Sequence, residues 1–190
     1  HLPPFASAPE VKEAQPLQIQ VQIGDQAEAP RDREENTRQF IEQKRRALEA
    51  NPNDAKACND LAWTYLIAPD ALRDWKAALP LAEKSAQLAP GPISRNTLGL
   101  AYYRAGRFRE AAEILEPNLK DQVDWALAYD LYFLAMSHHQ LGESALARDF
   151  YALAVRWSLA HQEALKPYLV ELAAIQAEAA ALLGVKDKEP

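Results

Sequence analysis

Cys58 is the only cysteine in the chain, so no internal disulfide can form and no thiolate zinc cage can be assembled. A chain so poor in thiols is compatible with a reducing, cytoplasmic setting. No apolar run is long enough to cross a bilayer. No basic stretch followed by an apolar core marks a signal peptide. The balance of charge is acidic, −6 with a pI near 5.3, which excludes the broad positive surface that nucleic acid or an anionic membrane selects. The six glycines do not fall into a phosphate-cradling loop or a nucleophile elbow. What is present is 190 residues, 48% of them apolar, enough for one cored domain with an appendage. The chain opens on His1 and reads as a piece or a processed form of a longer protein.

Two stretches differ in character. Residues 1–30 hold Pro3, Pro4, Pro9, Pro16 and Pro30, and proline's fixed φ and missing donor exclude a continuous helix there. Within it Leu17, Ile19, Val21 and Ile23 alternate with glutamines before the turn pair Gly24-Asp25, which predicts either a strand over 17–23 or an extended linker. From residue 31 onward Ala, Leu, Glu, Arg and Gln dominate, and these are helix formers.

That second stretch repeats. Leu98-Gly99-Leu100-Ala101-Tyr102-Tyr103 leads to Gly106, Phe108 and Ala111; Leu134-Ala135-Met136 leads to Gly142 and Ala147 at the same offset; Leu61-Ala62-Trp63-Thr64-Tyr65 leads to Ala78. Small residues at Ala62, Gly99 and Ala135, and at Ala78, Ala111 and Ala147, suit two helices whose backbones approach closely. Gly106 and Gly142 suit the tight turn between them. Large residues such as Leu98, Tyr102, Phe108, Leu115, Leu134 and Tyr151 fill the space between. Burying an unpaired charge at such a small site, as in Ala111→Glu, is expected to unfold the array.

The pattern of residues 98–111 resembles the tetratricopeptide repeat family, and the likeness covers roughly residues 53–159. The run Arg95 to Trp157 is similar to repeat regions of bacterial multidomain proteins, serine/threonine kinases among them. Cys58, Arg95 and Leu131 stand where the family has a signature Trp, and Ser85 and Asn118 where a small Ala is usual, so these positions are expected to weaken repeat edges. The resemblance implies an all-α fold, a right-handed solenoid of helical hairpins with about three repeats. Residues 33–51 are read as a leading helix. Hairpins are expected over 54–67 with 75–89, 93–105 with 108–118, and 125–140 with 143–158. A capping helix over 162–184 and a polar tail over 185–190 complete the layout. Pro80 is expected to kink or delay its helix.

No catalytic set has a workable spacing, so the residues predict a protein that is not an enzyme, with no cofactor and no metal. His138 and His139 are adjacent and point about 100° apart on a helix, too far to chelate one ion. Arg104, Arg107 and Arg109, and separately Lys44, Arg45 and Arg46, read as solvated basic surface. Glu163, Glu171, Gln176 and Glu178 read as the polar face of the last helix.

The family's groove positions imply a concave, largely apolar peptide-binding surface. Carried onto this chain they are Lys56, Asn59, Trp63 and Leu66, then Asn96, Leu100, Tyr103 and Arg104, then Tyr129, Tyr132, Met136 and His139. Aromatic anchors would dominate binding there, and truncating Tyr103 and Tyr132 together is expected to abolish capture with little change in melting. The expected partner is a protein or peptide segment, with the chain's own Pro3-Pro4-Phe5 leader or a second copy as possible occupants, and no nucleic acid or membrane insertion. The alternative is an accessory or regulatory domain of a larger enzyme, such as a kinase, encoded upstream.

Overall fold

The computed structural model describes residues 30–121 and 124–185. The extended linker and candidate strand of residues 1–29 and the tail 186–190 lie outside them. Among the described residues all regular structure is helical.

Helix α1, Pro30–Ala50, leads. Asp54 accepts a hydrogen bond from the Ala57 amide at 3.0 Å and so caps α2, Ala55–Ile67. Asp74 does the same through Ala77 for α3, Trp75–Leu88. Pro80 lies inside α3 but does not delay it: the helix runs from Trp75 to Leu88, without the ladder bond that the Pro80 nitrogen cannot donate. Helix α4, Pro92–Arg104, opens on a proline whose missing amide proton has no ladder partner in the first turn, and Ser94 Oγ accepts from Gly91 N at 3.1 Å.

Helix α5, Phe108–Leu115, is shorter than the sequence pattern suggests. Pro117 cannot continue the ladder, so the chain breaks and restarts as the single turn α6, Asn118–Asp121. Helix α7, Asp124–Gln140, and α8, Ser144–Ala160, follow. The expected continuous capping helix is interrupted in the same way at Pro167. It consists of the turn α9, Gln162–Leu165, a 3₁₀ turn Lys166–Tyr168, and α10, Leu169–Leu183.

Neighbours in sequence pack on each other as α2 with α3, α4 with α5 and α7 with α8. Successive pairs meet through α3 with α4 and α5 with α7, while α2 touches α4 and α4 touches α7. Gly106 and Gly142 adopt φ of 76° and 81°, which is why the two tight turns carry glycine. At Gly99 a Cβ would overlap the Leu115 side chain, so α4 and α5 approach more closely than an alanine permits.

Helix α7 is the centre. Every residue from Ala126 to His138 is buried, a pattern that needs neighbours on all sides. Those neighbours are α8, α5, α4 and α10. Helix α10 lies mainly against α7 and only lightly against α8, and it reaches α4 through the Arg104–Glu178 ion pair.

Two surface expectations are corrected by this packing. Lys44 reaches Asp60 at 3.4 Å and Arg45 Nε donates to the Tyr65 hydroxyl at 2.6 Å, so part of that basic cluster ties α1 to α2. Arg104 is largely covered and pairs with Glu178 of α10, while Arg107 covers the Tyr102 ring at 4.1 Å and bonds Glu110 at 3.1 Å.

Candidate functional site: an aromatic cavity closed by the last helix

A cavity of about 750 Å3 opens between α2, α4, α7 and the start of α10. Asn59 and Trp63 come from α2, Ile93 and Asn96 from α4, Trp125 and Tyr129 from α7, Tyr168 and Glu171 from the last segment. Its aromatic wall is continuous. Trp63 meets Tyr129 edge to face at 5.4 Å and 87°; Trp125 meets Tyr129 at 6.5 Å and 80° and stacks on Tyr168 at 5.2 Å and 19°.

The polar groups of the wall divide into satisfied and unsatisfied sets. Lys56 and Lys44 both engage Asp60, at 2.6 and 3.4 Å. Asn96 Nδ2 donates to Asp130 Oδ1 at 2.7 Å, so its amide is committed inward. By contrast Asn59 Oδ1 is buried without a hydrogen-bond partner in the described residues. Glu171 stands beside the Tyr129 hydroxyl and the Trp63 indole. Burial raises its pKa above the ordinary value, and those two donors only partly oppose the rise. Burial, and then the Glu171 charge, likewise push the Tyr129 hydroxyl up.

Of the nine residues expected to form the groove, the structure brings Asn59, Trp63, Asn96 and Tyr129 together on this cavity. Leu100, Tyr132 and Met136 are fully buried core, and Tyr103 is 8% exposed and packed against Phe108 at 5.6 Å. Packing within the array removes them from solvent, Tyr132 meeting Tyr151 of α8 at 5.8 Å, so truncating Tyr103 and Tyr132 removes core and cannot leave melting unchanged. His139 is half-buried and lies off the cavity wall. Trp125, Tyr168 and Glu171 were not anticipated. Glu171 and Glu178 were read as a polar outer face, but both turn inward, toward Trp63 and toward Arg104.

Beneath the cavity lies a buried carboxylate. Asp130 accepts from Asn96 and, at 2.9 Å, from Asn118 Nδ2; Asn118 also donates to Pro92 O at 3.0 Å and accepts from Arg95 Nε at 2.6 Å. Burial pushes the Asp130 carboxyl up to about 7 against the pull of these partners. Asn118, expected to weaken a repeat edge, is instead the hub joining α4, α6 and α7. Ser85 is similar, donating to Ala55 O at 2.9 Å.

Elsewhere, buried His138 stacks on Phe150 at 5.3 Å and contacts Glu143 at 2.5 Å, and Cys58 is buried, with its thiol pKa raised by desolvation. Among the described residues no group of three or more His, Cys, Asp or Glu is placed to hold a metal ion, and no helix is long and apolar enough to cross a membrane.

No protein-family model and no curated protein sequence matches the chain.

Proposed function

We propose that the chain is a tetratricopeptide-like scaffold that captures a segment of another polypeptide in the cavity between α2, α4, α7 and α10. The repeat offsets in the sequence and the pairwise packing of α2 with α3, α4 with α5 and α7 with α8 support the architecture.

One observation carries the binding reading. The cavity is open to a ligand, walled by four aromatic rings, and holds a buried amide oxygen, Asn59 Oδ1, that lacks a partner. A buried polar group without a hydrogen bond costs about 1–3 kcal/mol, which an incoming backbone or side chain would recover. Aromatic anchors beside a few polar groups are the usual composition of a peptide site.

The test is selection from a displayed random-peptide library, followed by titration of selected peptides while the indole resonances of Trp63 and Trp125 are followed. Saturable shifts of both are expected. Selected peptides that bind and leave both unchanged would place recognition elsewhere and defeat the proposal.

A further inference from the structure

Helix α10 presents two carboxylates two helical turns apart, Glu171 and Glu178, and a spacing of seven places them on one face. They differ in whether a cation meets them. Glu178 holds the Arg104 guanidinium at two points, one of them at 2.7 Å, and that guanidinium lies 5.5 Å from the centre of the Tyr103 ring. Glu171 has the aromatic surroundings, Trp63 and Tyr129 with Trp125 and Tyr168 completing the wall, but among the described residues no Lys, Arg or His pairs with it. The two cations of the cavity, Lys44 and Lys56, are already held by Asp60.

We propose that an arginine side chain of the captured partner segment enters this cavity, lies against the aromatic wall and pairs with Glu171, repeating in trans the Arg104–Glu178 arrangement. This rests on the scaffold reading above and names the chemistry of its ligand.

Arginine fits better than lysine. Its guanidinium is planar, weakly hydrated, stacks on aromatic faces and meets a carboxylate at two points, whereas an ammonium is a compact and strongly hydrated charge. A cation on a desolvated Trp or Tyr face gains further attraction from the ring quadrupole. Burial already disfavours the charged form of Glu171, and an arriving cation would relieve that. Residues 1–29 and 186–190 contain no arginine and so do not themselves supply this side chain.

The experiment titrates the full chain with capped pentapeptides, Ala-Ala-Arg-Ala-Ala and its Lys, Gln and Glu counterparts, reading the Trp63 and Trp125 indole resonances. The Arg peptide is expected to bind at least about fivefold more tightly than the Lys peptide, with the Gln and Glu peptides weaker still. Glu171→Gln should weaken the Arg peptide about tenfold and leave the Gln peptide unchanged. Equal binding of Arg and Gln peptides would overturn the arginine assignment while leaving the scaffold reading intact. The charge series on the unmodified protein gives that answer even if Glu171→Gln fails to fold. Failure of every capped peptide and of every library-selected peptide to shift the indoles would sink both readings. Self-association abolished by Glu171→Gln would make a second copy the occupant and also overturn the proposal.

Discussion

Arg104 near the end of α4 and Glu178 on α10, 74 residues apart in sequence, are joined by a two-point ion pair, with Arg104 Nη2 donating to Glu178 Oε2 at 2.7 Å. This contact ties the last helix to α4. The body of α10 rests on α7 and, more lightly, on α8.

Loss of that pair should therefore loosen α10 selectively. Glu178→Ala leaves a largely covered guanidinium without its acceptors, at a cost of about 2 kcal/mol. Hydrogen exchange should show reduced protection over 169–183 with little change over 55–67 and 92–104. Uniform loss across all helices would show that α10 is integral to one cooperative unit.

The approach of α4 to α5 at Gly99 gives a second prediction. Gly99→Ala forces the new methyl into the Leu115 side chain and should destabilise by about 1–3 kcal/mol in denaturant unfolding. Gly91→Ala is the contrast: its backbone is extended at φ 179° and a Cβ there meets nothing within 4 Å. It should stay within about 0.5 kcal/mol of the parent, the freedom lost by the unfolded chain offsetting the poorer N-cap that alanine makes. Equal effects at the two sites would contradict the packing described.

Asp130 makes stability depend on pH. Its carboxyl is raised in the folded state from 3.8 to about 7, so folding takes up a proton. The contribution of this group is therefore fully present below about 4 and is lost as pH rises from about 4 to about 7, by up to about 4 kcal/mol. Asp130→Asn removes the titration. Asn118 cannot reverse its amide to suit, because Arg95 holds its oxygen and Pro92 O its nitrogen, but the new amide can accept from Asn118 and face Asn96. The unfolding midpoint of the variant should change less between pH 4 and 7 than that of the parent. Parallel pH profiles would show that the Asp130 carboxyl titrates alike in the folded and unfolded chain.

Much of the helical framework was legible because its signals are local. Capping aspartates, turn glycines and small residues at repeat offsets mark α2 to α5 and α7 to α8 within a residue or two, except at the end of α5. The breaks at Pro117 and Pro167 were legible in the same terms and were underweighted. The site was less legible, because burial on a helix depends on what crosses it. Tyr132 and Met136 sit on α7, which α4, α5, α8 and α10 enclose, so positions that the repeat pattern turns toward a hollow are core here. Glu171 and Glu178 looked like a solvated face, since charge at helical spacing usually is one, and only the partners across the fold, Trp63 and Arg104, show the inward orientation.

The most direct test of the account changes the cavity wall without touching the core. Ile93, on the wall and 45% exposed in the first turn of α4, can become Asp with little cost to folding, and Leu159, 38% exposed on α8 away from the cavity, serves as control. Affinity for a library-selected peptide should fall at least about tenfold in Ile93→Asp and stay within about twofold of the parent in Leu159→Asp, with both variants melting close to the parent. Unchanged affinity in Ile93→Asp would contradict capture in this cavity.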